Sequence, residues 1–479
     1  MSIDGKTSVL DALVSIVGEK GFTADPLEMA PWCRDWRGRY EGRALAMVSP
    51  ADTAEVARIV NFARERGLSL VPQGGNTGTV GGATPNAEGT QLILSLRRMN
   101  QISLIDPVAN LALVEAGVIL ETLHNAAAEH QRRFPLTLGA KGSATIGGLV
   151  STNAGGTQVL RFGTMRALVM GIEAVLPDGS IYNGLSPLKK DNRGYDINQL
   201  LIGAEGTLGI VTAACLRLVP EINDIATAWV GVSNPESALA MLREMEGASG
   251  DAIESYEIIA KRTLEAALRH ISGTRAPLTG DHDWHILIDY VGASATEALE
   301  ALVMQALSRG QAQDAVIAAN TAQAAAFWHI RESLSAAEKA TGPAVQHDLS
   351  VPVDIMPRFI ASVSAAVEQE FEGVLASAFG HLGDGNLHFH VRAPAGADPA
   401  MWREHQGQEI ARYVHDLVIA AGGSISAEHG IGQSLKSELL RLSSPARIHA
   451  MRAIKIAFDP DGLMNPGKLV PLASDAPAA

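Results

Sequence analysis

A glycine-rich stretch at residues 70–85 constrains this chain more than any other part of its sequence. The stretch reads LVPQGGNTGTVGGATP, a short apolar run followed by glycines and small hydroxyl residues. Because glycine has no Cβ, the backbone N–H groups of such a loop can approach a ligand closely and bind anionic groups. No lysine follows the last glycine and the stretch ends at Pro85, so it is neither a P-loop nor a dinucleotide-binding fingerprint. It predicts either a loop that holds a phosphate-rich cofactor or a plain glycine-rich turn.

Two further small-residue loops favour the cofactor. They occupy residues 138–156 and 203–210, and three such loops in one segment are hard to explain as surface turns. The first loop follows a predicted β-α-β unit, with strands at 44–48 and 68–71. The helix between these strands is predicted to have Ser49 as its cap, Pro50 as its first residue and Gly67 as its end. Residues 1–222 are therefore predicted to form one α+β cofactor-binding domain.

The pattern changes after Pro220. Strand-like and helix-like segments alternate from residue 226 to residue 307 without glycine-rich loops. This alternation favours an antiparallel sheet backed by helices, in the manner of ferredoxin-like units. We expect a substrate or cap domain at residues 223–425, followed by a C-terminal segment at 426–479.

With its three small-residue loops the chain resembles the FAD-linked oxidase family, of the vanillyl-alcohol oxidase type with a PCMH-type FAD-binding domain. Within that family it looks most like the branch of D-2-hydroxyglutarate and D-lactate dehydrogenases. The resemblance implies an α+β fold with three parts: a PCMH-type FAD-binding domain, a ferredoxin-like α+β substrate domain that carries a metal-binding hairpin, and a C-terminal helical segment. In the family, this last segment returns to the flavin and completes the active site.

The resemblance implies that FAD is bound by the three loops and by one residue near the C-terminus. Relatives that bond FAD covalently through the first loop use a histidine there, whereas this chain has Asn76 and Thr77; we therefore expect noncovalent FAD. The residues expected to bind FAD are Pro72, Gly74, Gly75, Asn76, Thr77, Gly78 and Gly82 in the first loop; Leu138, Gly139, Ser143, Thr145, Ile146, Gly147, Gly148, Ser151, Asn153, Gly155 and Gly156 in the second; Glu205, Gly206, Gly209 and Ile210 in the third; and Asn465.

A histidine-rich segment, GHLGDGNLHFH at residues 380–390, carries the clearest signal for chemistry. Residues 383–386 have turn composition, so in a hairpin His381 and His388 would face one another. A period of two would place His388 and His390 on one face, with Phe389 opposite. A single histidine is most often a structural residue, but three on one hairpin are unlikely to be all structural.

Another small-residue segment, SAEHGIG at residues 426–432, adds an adjacent glutamate and histidine. Two imidazoles and a carboxylate would supply three ligands for a divalent ion such as zinc or manganese, with positions left open for a substrate. The resemblance gives these residues roles: His381, His388 and Glu428 would bind the metal, and His429 would be the catalytic base.

Arg331 is a candidate for substrate binding. It shares one face of a predicted helix with Phe327 and Leu334, so it is either a solvated arginine whose stem packs on apolar neighbours or a fork that binds a carboxylate. The resemblance favours the fork, assisted by Ser335 one turn later.

Two positions depart from the family pattern and bear on the substrate. Gln346 stands where the D-2-hydroxyglutarate enzymes typically carry a lysine for the distal carboxylate, and His390 stands where they typically carry an asparagine. Glutamine supplies no charge, so a dicarboxylate would lose one expected anchor. We expect both residues to contact the distal part of the substrate.

These observations predict a FAD- and metal-dependent dehydrogenase that oxidises a D-2-hydroxy acid, with D-2-hydroxyglutarate and its product 2-oxoglutarate ahead of D-lactate, D-malate or another D-2-hydroxy acid. His429 would remove the hydroxyl proton while the hydride on Cα passes to the flavin. Two alternatives stay open: a metal-free alcohol or sugar oxidase on the same fold, and a noncatalytic flavin-carrying subunit of an electron-transfer complex.

Composition limits the cellular setting. The chain has 479 residues, a net charge of −14 and no basic runs, which excludes a nucleic-acid-binding surface. Two cysteines, Cys33 and Cys215, fit a reducing compartment, and no apolar run reaches the ~20 residues that span a bilayer. We expect a cytoplasmic enzyme without a transmembrane segment. The family further implies a homodimer that passes electrons to electron-transfer flavoprotein or a quinone.

Overall fold

The computed structural model describes residues 3–472, and the chain divides into two compact units. The first unit contains the residues up to Gly155, Gly163–Glu221 and the chain from Glu428 onward. The second unit contains Gly156–Phe162 and Ile222–Ala427.

The strands of the described residues are two to eight residues long. In chain order they are β1 (Phe22–Thr23), β2 (Ala44–Val48), β3 (Leu70–Gln73), β4 (Gln91–Ser95), β5 (Ile102–Asp106), β6 (Leu111–Glu115), β7 (Arg132–Arg133), β8 (Val169–Val175), β9 (Ile181–Asn183), β10 (Ile210–Arg217), β11 (Val219–Pro220), β12 (Ile225–Val232), β13 (Ile253–Ala260), β14 (Trp284–Val291), β15 (Asp314–Ile317), β16 (Ala344–Ser350), β17 (Leu375–His381) and β18 (Asn386–Arg392).

The helices alternate with these strands. In chain order they are α1 (Ile3–Val17), α2 (Pro26–Met29), α3 (Thr53–Arg66), α4 (Leu120–Glu129), α5 (Ile146–Thr152), α6 (Val159–Phe162), α7 (Met165–Leu168), α8 (Ile197–Leu201), α9 (Pro235–Ser249), α10 (Lys261–His270), α11 (Ala295–Ser308), α12 (Thr321–Thr341), α13 (Met356–Glu370), α14 (Pro399–Trp402), α15 (Gln408–Ala420), α16 (Lys436–Leu442) and α17 (Pro445–Phe458). None of the helices in residues 3–472 is both long and apolar enough to cross a membrane.

The first unit is built on two main sheets. One has the order β1-β2-β4-β3, with β4 parallel to both β2 and β3. The other is antiparallel, with the order β5-β6-β10-β8-β9. A buried apolar cluster that includes Val9, Leu13, Ile59 and Leu92 packs α1 and α3 against the first of these sheets. The predicted β-α-β unit is present as β2, α3 and β3.

Helix α3 begins later than the sequence pattern suggested. Its first residue is Thr53, not Pro50, and its N-cap is Asp52, whose side chain accepts a hydrogen bond from the backbone N–H of Glu55 at 2.7 Å. The Glu55 carboxylate in turn accepts from the backbone N–H of Ala51 at 2.7 Å. This reciprocal capping outweighs the Ser-Pro signal because it satisfies two N–H donors at the helix end. The end at Gly67 is as predicted, since that glycine has a left-handed φ of 63°.

The second unit contains one antiparallel sheet of seven strands, in the order β15-β12-β14-β13-β17-β18-β16. Helices α9, α11, α13 and α15 pack on one face around a large apolar core, and α10 and α12 pack on the other face. The predicted antiparallel sheet backed by helices is therefore confirmed.

The side chains of strand β18 alternate between an apolar face of the sheet and a polar one. Leu387, Phe389 and Val391 are fully buried in the large core. Successive side chains of a strand point to opposite faces, so His388 and His390 lie on the other face, the one that α12 covers. The prediction that His388 and His390 share one face, with Phe389 on the other, is confirmed. His381 and His388 do not face one another directly, because His381 is paired with Asn386 and His388 with Phe379.

Candidate active site

In the first unit, the first and second small-residue loops pack directly on each other. A Cβ on Gly74 would lie 2.2 Å from the Thr145 hydroxyl oxygen, and one on Gly75 would lie 1.9 Å from the carbonyl oxygen of Ser143. Real Cβ contacts of this kind do not occur, so only glycine permits this approach. The first loop is also held by Asn76, whose side chain donates to the carbonyl oxygen of Arg34 at 2.9 Å.

Buried hydroxyl groups line these loops. Within residues 3–472, the side-chain oxygens of Thr79, Thr84 and Thr145 are buried and make no hydrogen bond. Buried polar groups normally have partners. A glycine cradle with spare hydroxyl groups therefore fits a ligand rich in polar atoms, as FAD is.

The third loop is tied to the first by the C-terminal segment. The Asn465 side chain donates to the carbonyl oxygens of Gly82 at 2.9 Å and Glu205 at 2.8 Å. Buried Lys455 donates to the carbonyl oxygen of Thr207 at 2.7 Å and to that of Met464 at 2.8 Å. Most of the residues expected to bind FAD therefore lie in loops of the first unit, while Gly156 belongs to the second unit.

Glu205 has a role that its place in a glycine loop did not suggest. Its two carboxylate oxygens accept hydrogen bonds from the backbone N–H groups of Ile431 and Gly432, both at 2.7 Å. Burial raises the pKa of Glu205, and these two hydrogen bonds oppose that rise. Gly430 and Gly432 both have positive φ. The carboxylate thus holds the turn that follows His429.

In the second unit, the two histidines predicted to bind a metal lie together. Across the hairpin, Phe379 is paired with His388 and His381 with Asn386, so the two histidines are diagonal neighbours on one face. Their ring centroids are 5.8 Å apart. On the other side of β18, His388 is paired with Asp348.

Glu257 on β13 orients His381 and Arg331. It is fully buried; one carboxylate oxygen lies 2.6 Å from His381 Nδ1, and the other accepts from Arg331 Nε at 2.6 Å. Burial raises the pKa of Glu257, but the charges of Arg331 and His381 outweigh it, and the pKa is lowered. A carboxylate on one nitrogen of a histidine, with the other nitrogen left to face a ligand, is the usual arrangement at a metal site.

The sequence interpretation did not name Glu257. The available signal was a charged residue inside the apolar run IESYEIIA of residues 253–260. A glutamate on a buried strand needs a partner, and the partner could not be identified because His381 is 124 residues away.

Arg331 is buried rather than solvated. Its residue is 8% exposed, and its guanidinium lies 5.2 Å from the centre of the Phe379 ring. Its NH2 nitrogen is 3.4 Å from His381 Nε2. Ser335, one turn later on α12, is exposed. The guanidinium is therefore held beside the histidines by Glu257, with Nε engaged.

Gln346 and His390, the two residues expected at the distal end of a substrate, are directly paired across β16 and β18. They lie two residues along each strand from Asp348 and His388, on the same face. His390 is also paired with Ser377 of β17.

Glu428 and His429 begin the last segment of the first unit, and Ala427 is the last residue of the second. The backbone N–H of Ala427 donates to the carbonyl oxygen of Asp348 at 3.2 Å, and Asp348 is the strand partner of His388. Glu428 is the next residue of the chain.

Family models match most of the chain. A model described as "FAD binding domain" matches residues 44–184, and one described as "FAD linked oxidases, C-terminal domain" matches residues 222–469.

Named relatives match over nearly the full length. A mitochondrial D-2-hydroxyglutarate dehydrogenase of Arabidopsis thaliana is 36% identical, over 95% of this chain and 80% of that protein. Its Bos taurus counterpart is 34% identical over 96% and 83%. A D-2-hydroxyglutarate–pyruvate transhydrogenase of Saccharomyces cerevisiae is 31% identical over 93% and 90%.

The relatives correct the expected location. The Arabidopsis and Bos taurus proteins are named as mitochondrial, so the expectation of a cytoplasmic enzyme is wrong. Proteins of several reducing compartments have few cysteines and no membrane-spanning run. These two features therefore did not distinguish one compartment from another.

Solved structures with low sequence identity share the fold. Alkyldihydroxyacetonephosphate synthase has a TM-score of 0.75 at 17% identity, covering 96% of this chain and 84% of that one. p-Cresol methylhydroxylase has a TM-score of 0.72 at 16% identity, covering 98% of this chain and 97% of that one. The family models and the relatives establish that this chain belongs to the FAD-linked oxidase family.

Proposed function

We propose that this chain is a FAD-linked dehydrogenase that oxidises D-2-hydroxyglutarate to 2-oxoglutarate with the help of a divalent metal ion. The observation that carries the proposal is the pair His381 and His388 on one face of the sheet, with Glu257 behind His381. The names of the relatives support the substrate.

FAD would be held noncovalently by the three small-residue loops, where glycines allow close approach and buried hydroxyl groups are spare. When bound, it supplies the acceptor for the hydride on Cα. The chain's own contribution here is the rigidity of the loops, which Asn465 and Lys455 fasten to the C-terminal segment.

His381, His388 and Glu428 would hold the metal ion, zinc or manganese. When bound, a divalent ion lowers the pKa of a hydroxyl group, which is otherwise too weak an acid to lose its proton near neutral pH. Because Glu257 engages the Nδ1 atom of His381, Nε2 would be the nitrogen that binds the ion.

The remaining roles belong to side chains of this protein. His429 accepts the hydroxyl proton, and the Glu205 carboxylate holds the turn after it. Arg331 binds the carboxylate next to the reacting carbon through its terminal nitrogens, because Nε is held by Glu257. Ser335 assists Arg331, and Gln346 and His390 contact the distal part of the substrate.

A D-2-hydroxy acid without a distal carboxylate, such as D-lactate, is the second candidate. The specific observation in its favour is that Gln346 is uncharged and that the arginine nearest to His390 along β18, Arg392, is already paired with Glu338. A distal carboxylate would therefore lack the positive charge that a lysine at position 346 would supply.

The test is anaerobic bleaching of the bound flavin by a panel of D- and L-2-hydroxy acids, with and without a chelator. We expect bleaching by D-2-hydroxyglutarate and its loss in the chelated protein. Bleaching only by a shorter D-2-hydroxy acid would mean that this acid, and not D-2-hydroxyglutarate, is the substrate. Bleaching that survives removal of the metal would contradict the metal's role. If no hydroxy acid bleached the flavin, the proposed activity would be wrong.

A pair of histidine variants tests the base. H429A is expected to keep FAD and metal but to lose bleaching, because no group would accept the hydroxyl proton. H449A is the matched control, since His449 is exposed on α17 of the same unit. Bleaching at the unaltered rate in H429A would remove His429 from the mechanism.

We also propose a homodimer that passes electrons to electron-transfer flavoprotein or a quinone. Sedimentation of the holoprotein would give the oligomeric state. Reoxidation of the reduced enzyme by each acceptor, compared with reoxidation by oxygen, would identify the acceptor.

A further inference from the structure

A second buried carboxylate, Glu338, lies seven residues after Arg331 on α12. It is fully buried, and it accepts hydrogen bonds from Arg392 Nε at 2.8 Å, Arg392 NH2 at 2.5 Å and the Ser377 hydroxyl at 3.0 Å. His390 Nδ1 lies 3.7 Å from the same carboxylate. These three partners of Glu338 come from β17 and β18, on the face that also carries His381 and His388.

Glu338 and its partners Arg392, Ser377 and His390 lie at the part of the sheet face toward which the distal end of a substrate would extend. Residues two apart on one strand are ~7 Å apart, so the Gln346–His390 pair is one such step from the Asp348–His388 pair. In the opposite direction along β18, the Asn386 side chain is engaged with Asp348 and with the carbonyl oxygen of Leu349, both at 2.9 Å. A substrate that extends along this face therefore extends toward His390.

Arg392 does not itself offer a free guanidinium fork. Two of its nitrogens are bound to Glu338 in a bidentate pair, and its residue is 8% exposed. Its visible function is to hold the Glu338 carboxylate in place, directly behind His390.

We propose that Glu338, held by Arg392 and Ser377, positions His390 beside Gln346 and thereby makes the site discriminate between D-2-hydroxy acids with a polar group at the far end and shorter ones. The inference rests on the proposed function. Glu338 and Arg392 are positioning residues, since they act through His390. A three-carbon acid bound at His381 and His388 would end before the Gln346–His390 pair. Its affinity would therefore not depend on Glu338, Arg392 and Ser377.

The test uses the double variant E338L/R392L in the holoprotein. Removing one member of a buried ion pair leaves an unpaired charge, whereas replacing both with apolar residues is often tolerated. Dissociation constants for D-2-hydroxyglutarate and D-lactate are measured by anaerobic flavin reduction. When an acid reduces the flavin slowly, its constant is measured by competition instead. We expect the constant for D-2-hydroxyglutarate to rise about tenfold, with less than about a twofold change for D-lactate.

Combination with H390A separates positioning from general damage. If Glu338 acts through His390, adding E338L/R392L to H390A changes the constants by less than about twofold, because the two changes remove the same interaction. R243L/E246L is the matched control, since this ion pair lies on the exposed part of α9 with an N–O distance of 2.6 Å.

Three outcomes would overturn the inference: equal weakening of both acids, no change for D-2-hydroxyglutarate, or effects that add to those of H390A. Failure of the proposed function is distinguishable from these outcomes, because it would be seen as absence of bleaching by D-2-hydroxyglutarate in the unaltered protein.

Discussion

Glu205, Glu257 and Glu338 are buried, and each lies beside a residue that the proposed function uses. Glu257 contacts His381, Glu338 lies behind His390, and Glu205 holds the turn after His429. A buried carboxylate is costly unless it is hydrogen-bonded or paired. Once paired, it fixes the orientation of its partner. At the scale of single residues, this protein orients its candidate active-site groups with buried acids.

The variant E205Q tests this orientation at His429. Glutamine keeps the shape of the side chain but replaces one acceptor oxygen with a donor, which would then face the N–H of Ile431 or Gly432. We expect the hydrogen bonding of this turn to contribute ~1–3 kcal/mol less to the free energy of unfolding, and flavin reduction to be slower. FAD content should stay unchanged, because the backbone of Glu205 is held independently by Ser151 at 2.7 Å and by Asn465. Stopped-flow reduction and the flavin-to-protein ratio measure the two effects.

E129Q is the control for E205Q, since Glu129 is exposed on α4 of the same unit. An unaltered rate of flavin reduction in E205Q would show that His429 does not depend on the turn.

At the scale of elements, the candidate functional groups lie in the small-residue loops of the first unit and on one sheet face of the second unit. The first small-residue loop lies between the parallel strands β3 and β4, and the second leads into α5. On the polar face of the second unit, β16, β17 and β18 place side chains in register, so that neighbours are fixed by strand pairing. Helix α12 then supplies both Arg331 and Glu338 to this face.

The variant G75A tests the packing of the first two loops. The added methyl group would lie 1.9 Å from the carbonyl oxygen of Ser143, a backbone atom that cannot move alone. We expect a loss of ~1–3 kcal/mol in the free energy of unfolding and less FAD per chain. Thermal unfolding of the FAD-free protein and the flavin absorbance measure these quantities.

G78A is the matched control within the same loop. A Cβ at Gly78 meets no protein atom within 4 Å and its φ is not positive, so the FAD-free protein should keep its stability. The packing argument is wrong if G75A unfolds at the same temperature as G78A.

At the scale of the whole molecule, buried ionisable groups link stability to pH. Burial raises the pKa of Glu338, but His390 and Arg392 outweigh burial and bring the pKa to about 2, from an ordinary value of 4.5. Because the pKa is lower in the folded protein, the stabilisation is present above pH 4.5 and is lost as the pH falls toward 2. His285 also acts against acid stability: burial, with a contribution from His282, lowers its pKa from 6.5 to about 4, so stability falls as the pH drops from 6.5 to 4.

The acid dependence can be measured by denaturant unfolding of the unaltered protein and of E338L/R392L between pH 7 and pH 3. A shift of this size in the pKa of Glu338 corresponds to about 3 kcal/mol at most. We therefore expect the unaltered protein to lose more stability than the variant below pH 4.5, and the two to behave alike between pH 7 and pH 5. Parallel curves below pH 4.5 would show that Glu338 does not carry this part of the acid sensitivity.

Much of the architecture could be predicted because its signals are local. The β-α-β unit, the antiparallel sheet after Pro220 and the alternating faces of the histidine hairpin all follow from patterns within a few residues. The start of α3 was misplaced because two capping signals compete within four residues, and the reciprocal bonds of Asp52 and Glu55 prevail. The cytoplasmic location was wrong because composition does not distinguish one reducing compartment from another.

The sequence by itself determined that the glycine-rich stretch at residues 70–85 is not a P-loop, and that His388 and His390 share a face while Phe389 is buried. The first conclusion needs only the absence of a lysine after the last glycine, and the second needs only the period of a strand. Only the tertiary structure decided which partners these groups have: Glu257 for His381 and Arg331, Glu338 for Arg392, and Glu205 for the turn after His429. These partners are 54 to 227 residues apart in the chain. Pairing over such separations depends on how strands and helices pack, because a local pattern shows that a buried charge needs a partner but not which one it meets.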